Sequence, residues 1–338
     1  MKTLLLLLIT FSSSLSFSQT LKFKVMGQKD TTVHLVKYYG QKLFYADTAE
    51  IKSGVVQFDG KKQVPGMFAL LLPGQKMFEF IYNNEEVYIE TALPTLVESM
   101  KVRKSEENLL FVEYVQLITD RKKKVNELSE QREKLEKDTE EYKTITTQID
   151  NISKEVTDYQ KDIIEKHPTK LVSKMILMSI DVTIPDAPKD ENGNITDSNF
   201  QFNYYRSHYF DNIDLKDSRL VNFSVFHSKL ENYFSSRMMV PHWDTVLYYA
   251  YDLCDKLDPT SKMFEYCVSW ITSNYGKSKQ MGMDKVYTFM ADKYYCTRNA
   301  DGKSPAFWMT EEKLKELCEK TAVQKHLVMG AKPHNLIL

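Results

Sequence analysis

Cysteine is scarce in this chain. Its 338 residues hold four, at Cys254, Cys267, Cys296 and Cys318, and no two are arranged as Cys-x-x-Cys. That spacing excludes a thioredoxin-type redox motif and a zinc knuckle within these residues. Glycine-rich phosphate loops and Gly-x-Ser-x-Gly elbows are also missing, which removes two common routes to phosphoryl and acyl transfer. Net charge is almost nil, with 45 Lys and Arg against 46 Asp and Glu, so no field draws the chain to nucleic acid. Beyond its first residues, no stretch reaches the roughly 18 apolar residues that a membrane helix needs. Between Ser105 and His167 there is neither glycine nor proline.

Aromatics, by contrast, are plentiful: 20 Tyr, 18 Phe and 3 Trp. Such a chain can bury a core, and its length allows two domains. Residues 1–18 read as a secretory signal peptide. A basic start, Met1-Lys2-Thr3, precedes the apolar run Leu4–Ile9 and a small, polar segment, Thr10–Ser18. No cysteine follows that run to carry a lipid anchor. The expected location is periplasmic or otherwise exported.

Residues 19–100 alternate with a period of two. Runs at Leu21–Val25, Val33–Tyr39, Lys42–Ala46, Val55–Asp59, Met67–Leu72, Met77–Tyr82 and Glu86–Glu90 are separated by turns at Gly40, Gly54, Gly60, Pro65-Gly66, Pro73-Gly74 and Asn83-Asn84. This spacing predicts an antiparallel β-sandwich or open barrel. His34 lies within a strand and reads as structural or surface rather than as a ligand.

Residues 101–167 read as a helical connector. Ser105 is a good N-cap, and Glu106 and Glu107 favour the positive end of a helix. Apolar residues recur at sevens through Leu128, Leu135, Tyr142, Ile149, Val156 and Ile163, but the flanking apolar row changes phase within Arg132–Thr139. A straight helix would keep one seam, so an antiparallel hairpin is expected, with Asp138-Thr139 capping its second arm. One continuous helix of roughly 90 Å is the alternative. The basic run Arg121-Lys122-Lys123-Lys124 is followed by glutamates and reads as a solvated face.

Residues 168–325 read as an α-helical domain, with helices at Leu171–Ile180, Ser218–Ser235 (capped by Asp217), Trp243–Leu257, Met263–Tyr275, Met283–Tyr295 and Glu311–Gln324 (capped by Thr310). Thr183–Asp197 reads as a loop. Its Asp190–Asn194 segment lacks the oxygen spacing of a calcium loop. Cys254 and Cys267 fall in adjacent expected helices, and Cys296 and Cys318 do likewise. Either pair could be a disulfide, and buried thiols are the alternative. His208, His227, His242 and Asp244 are the only His/Asp group that could build a metal or acid–base site, including a hydrolase centred on His242 and Asp244. They lie in separate elements, so no catalytic, cofactor or metal residue is assigned. The run Tyr204–Phe210 offers either a stacking surface for sugar or peptide or ordinary helix packing.

Two sets of residues resemble a known family. Asp47-Thr48-Ala49, Gly54–Gly60, Pro65–Leu70 and Ser105-Glu106-Glu107-Asn108 are similar to a β-domain that heads many exported thioredoxin-family (TlpA-like) proteins of Bacteroidota. His208–Ile213, Asp217–Leu220, Met281–Tyr287 and Phe307-Trp308 resemble the helical domain that follows it. In that architecture a thioredoxin-like domain comes next, and residues 326–338 resemble its entry. The resemblance implies a non-catalytic module that positions or recruits substrate for a thiol–disulfide oxidoreductase domain absent from these residues. Implied partners are that thioredoxin-like domain, in the same chain or a separate protein, and envelope proteins or peptides. A homodimer is left open, and no cofactor is expected. The alternative is a stand-alone periplasmic peptide- or glycan-binding protein.

Overall fold

The computed structural model describes residues 19–328. The expected signal peptide and residues 329–338 of the expected thioredoxin entry lie outside the described residues. Within them the fold is α+β.

Eight strands come first: β1 (Thr20–Met26), β2 (Thr31–Tyr39), β3 (Lys42–Ile51), β4 (Val55–Asp59), β5 (Gly66–Leu72), β6 (Lys76–Tyr82), β7 (Val87–Ala92) and β8 (Lys101–Lys104). They form two four-stranded sheets, ordered β4-β1-β7-β8 and β3-β2-β5-β6. Phe23 of the first sheet meets Phe78 and Phe80 of the second at ring-centroid distances of 5.7 and 4.8 Å, so the sheets face each other across an aromatic core. The pairing departs from antiparallel in one place: β1 and β7 run parallel, from Leu21 opposite Val87 to Met26 opposite Ala92. The chain passes through the other sheet before β7 returns, and long crossovers permit parallel neighbours. Lys101–Lys104, read from sequence as the start of the connector, instead pairs with β7. Four residues are too few to show an alternating pattern.

The connector is a hairpin of two helices, α1 (Glu106–Arg132) and α2 (Glu140–Lys166). Thr139 caps α2 by accepting the amide N–H of Tyr142 at 3.2 Å. Asp138 takes a left-handed φ of 73° at the turn. Leu128, Ile145 and Ile152 make a small apolar cluster of their own in the far half of the hairpin.

Seven further helices follow among the described residues: α3 (Leu171–Ser179), α4 (Phe200–Ser207), α5 (Ser224–Tyr233), α6 (Trp243–Cys254), α7 (Lys262–Gly276), α8 (Asp284–Ala291) and α9 (Glu311–Gln324). The helix expected over Ser218–Ser235 is broken at Phe223, whose backbone is extended (φ −124°, ψ 132°). Asp217 caps only a short 3-10 turn, Ser218–Asn222. Phe223 is fully buried, and the break lets it enter the core. The helix expected over Met283–Tyr295 ends early, and its last turn, Asp292–Cys296, is wider than an α-turn. There Cys296 is bonded to Cys318 of α9, with Cα atoms 5.4 Å apart. Cys254 and Cys267 are buried free thiols. A single buried cluster runs from Leu21 of β1 to Leu314 of α9, so the sandwich and the helical region share one core.

Candidate binding site

The site begins with the joint that fixes the helical region to the sandwich. Ser105 caps α1, its hydroxyl accepting the amide N–H of Asn108 at 2.9 Å. Asn108 is fully buried. Its side-chain oxygen accepts the N–H of Ile81 at 2.8 Å, and its amide donates to the carbonyl of Ile81 at 2.6 Å. The side chain thus imitates a neighbouring strand for one residue of β6. Glu107 points the other way. Its carboxylate accepts the N–H of Val172 in the first turn of α3 at 2.6 Å and the side-chain amide of Asn83 at 3.1 Å. A buried carboxylate at a helix N-terminus is favoured by the unpaired amides there. Burial nevertheless raises its pKa above the ordinary carboxylate value, against the lowering effect of the Val172 and Asn83 hydrogen bonds. Glu106 pairs with Lys170 at 2.8 Å. Four consecutive residues therefore hold strand, hairpin and helical region in one arrangement.

Asp217 reinforces the same face. Burial works to raise its pKa, but hydrogen bonds from Arg219 and Lys174 outweigh burial and hold it at about 2. Arg219 also donates to Asn83 at 3.0 Å.

On the far side of the joint, the turn of the β2–β3 hairpin presses on the helices. Gly40 donates its N–H to the carbonyl of Val221 at 2.7 Å. The hydroxyl of Tyr266 in α7 sits over Gly40 so closely that a Cβ there would lie 1.7 Å from it. Tyr39 meets Tyr266 edge-on at 5.1 Å. Two hollows flank this contact and share Tyr39 and Phe44 in their walls. One, of about 550 Å³, is lined by Lys37, Tyr38, Val64, Pro65, Val221 and Asn222 among others. The second, of about 450 Å³, is lined by Lys42, His227, Glu265, Trp270, Asn274 and Lys277 among others. Leu43, Phe44 and Tyr45 of β3 are all exposed beside them, Tyr45 at 72%. The arrangement offers aromatic walls, a cationic rim and an adjacent strand edge, because β3 ends its sheet.

The residues singled out from sequence fall in separate places. His208 bonds Asp211 at 2.6 Å and stacks on Tyr204 at 4.1 Å. His227 is buried, its Nδ1 2.8 Å from the Tyr266 hydroxyl. Tyr266 has its pKa raised, chiefly by burial, which makes it a poor nucleophile. His242 and Asp244 hydrogen-bond each other on the exposed start of α6, and Asp244 also accepts the N–H of Thr245. Among the described residues, no group of three or more His, Cys, Asp or Glu is arranged to hold a metal. Within Tyr204–Phe210, Tyr209 and Phe210 pack on Tyr233 at 5.2 and 4.7 Å. Tyr204 and Arg206 instead line a hollow of about 400 Å³ with Tyr249. His34 bonds Thr48 across two strands at 3.0 Å. Asp190 accepts the N–H groups of Asn192 and Asn194 in a local turn. Arg121 is paired with Glu155 and Asp120 along the hairpin.

Residues 19–111 match a family model described as a domain of unknown function (DUF4369). No curated protein and no solved structure matches the chain. The matched segment takes in both sheets and the first turn of α1, with the Ser105–Asn108 joint inside it. Among the described residues, no helix is long and apolar enough to cross a membrane.

Sequence reasoning did not find the seam residues Tyr39, Phe44, Tyr266 and Trp270. One signal was present. Leu43-Phe44-Tyr45 breaks the period-two alternation of a half-buried strand, and at least one of three consecutive apolar residues must then leave the core or meet another element.

Proposed function

We propose that this chain is a non-catalytic, exported module that holds a polypeptide for a thiol–disulfide oxidoreductase domain lying outside these residues. The observation that carries the reading is the double hollow at the seam between the β2–β3 hairpin and α7, kept in shape by the buried joint at Ser105–Asn108. Concave, mostly apolar clefts with a few polar groups between packed units are favoured binding sites. Redox chemistry is assigned elsewhere on positive grounds. Cys296 and Cys318 are tied to each other, and burial raises the pKa of both Cys254 and Cys267, which opposes the thiolate that exchange requires. The resemblance of the β and helical regions to exported thioredoxin-family proteins supplies the partner domain.

The test joins the chain to a thioredoxin-like domain and measures reduction of a disulfide-bonded polypeptide. The expected kcat/KM is about tenfold above that of the thioredoxin-like domain alone, in line with the effective-concentration gain of a tethered binding module. Equal values overturn the positioning role.

A second reading, a stand-alone peptide- or glycan-binding protein, is favoured by the hollow at Tyr204, Arg206 and Tyr249, where Arg206 lies 4.6 Å above the Tyr249 ring. Glycan-array binding abolished by Tyr204→Ala would support it.

A further inference from the structure

We infer that the seam takes an extended, acidic polypeptide segment, which adds as a strand to the free edge of β3 and sets its side chains into the two hollows. The inference rests on the binding role proposed above but not on the thioredoxin partner.

Three independent observations converge on one occupant. The first is backbone. β3 pairs with β2 on one side only, so its outer N–H and C=O groups are open to another chain. Strand addition recognises backbone, which a polypeptide has and a glycan lacks. The second is apolar. Leu43, Phe44 and Tyr45 stand exposed in succession, 42%, 45% and 72%, and Phe44 walls both hollows. Side chains of an added strand point alternately to its two faces, so every second one can reach the hollows. The third is charge. Lys37, Lys42 and Lys277 line the hollows and carry no ion-pair partner among the described residues. The acid in this wall, Glu265, is already neutralised by Lys262 at 2.5 Å. Acidic side chains on the incoming segment complement that rim, and basic ones are repelled.

The experiment uses the full chain and fluorescence anisotropy. The probes are a short fluorescein-labelled peptide alternating glutamate with valine and phenylalanine, its lysine-for-glutamate counterpart, and the glutamate peptide N-methylated at alternate residues. The glutamate peptide should bind at least tenfold tighter than both others, and more weakly as salt is raised. Lys42→Glu with Lys277→Glu, both exposed positions, should invert the charge preference. Circular dichroism then shows that the fold is kept. Equal binding of the lysine peptide, or full binding of the N-methylated one, overturns the inference. So does sedimentation showing a dimer that Lys42→Glu dissociates, since a second copy would then occupy β3. Peptide binding without any gain in the thioredoxin-coupled assay leaves this inference standing and removes the positioning role alone.

Discussion

Glu107 accepts the amide of Val172 at 2.6 Å, from a carboxyl group only 1% exposed. Burial raises its pKa above the ordinary carboxylate value. A carboxyl whose folded pKa is raised holds its proton longer in the native state than in the unfolded one. Its contribution to stability is therefore greatest below about 4.5 and declines as pH rises through the raised value. Glu107→Gln keeps one acceptor and cannot ionise, so urea midpoints of this variant should lose that decline. Glu107→Ala leaves the Val172 N–H and the Asn83 amide without their partner. Its expected cost is about 3 kcal/mol near neutral pH, read from denaturant unfolding.

Gly40 is needed for two reasons at once. Its φ is +57°, and the hydroxyl of Tyr266 occupies the space a Cβ would take. Gly40→Ala should cost about 2 kcal/mol or more. In a Tyr266→Ala background the same change should cost clearly less, because only the backbone strain remains. A double-mutant cycle by thermal unfolding measures the difference. Additive losses would show that the two residues do not press on each other.

The outer half of the hairpin has its own small cluster, Leu128, Ile145 and Ile152 with Val125, Leu135 and Ile149 packed against them, apart from the main core. Ile152→Asp should therefore melt that half locally. Hydrogen exchange should lose protection around Leu128 and Ile145 while the strands keep theirs. Loss of protection in β1 or β7 would mean that hairpin and sandwich unfold together.

Thiol chemistry should be silent in the native protein. Cys254 and Cys267 are buried with raised pKa values, so they should react with a thiol reagent only as fast as the chain opens. Reducing Cys296–Cys318, which closes a separation of 22 residues, should cost about 3 kcal/mol. Insulin reduction by the isolated chain should be undetectable, and measurable turnover would sink this assignment.

Much of the architecture is legible in the sequence. Alternation with glycine and proline turns located the first seven strands, most clearly β1, β4 and β7, which bury one face and leave the other less buried. The phase slip near Arg132–Thr139 located the hairpin turn, because helices of 3.6 residues per turn cannot follow a displaced seam. Failures came where tertiary demands override local pattern. Phe223 breaks a promising helix to reach the core. The parallel neighbours β1 and β7 are distant in sequence, and nothing local encodes their direction. The motif Ser105–Asn108 was legible as a cap, but its two buried partners, Ile81 and Val172, lie on either side of it in the chain. The seam was least legible, since Tyr39, Phe44 and Trp270 look like core aromatics until the hairpin tip and α7 meet.

Asn108 has a consequence for growth. By bonding both the N–H and the carbonyl of Ile81, it occupies one position on the β6 border of a sheet whose opposite border is β3. A ribbon can lengthen indefinitely only if each unit offers two sticky borders. With Ile81 already bonded, a strand approaching β6 meets an occupied position there, so growth of this sheet is disfavoured at β6 relative to β3.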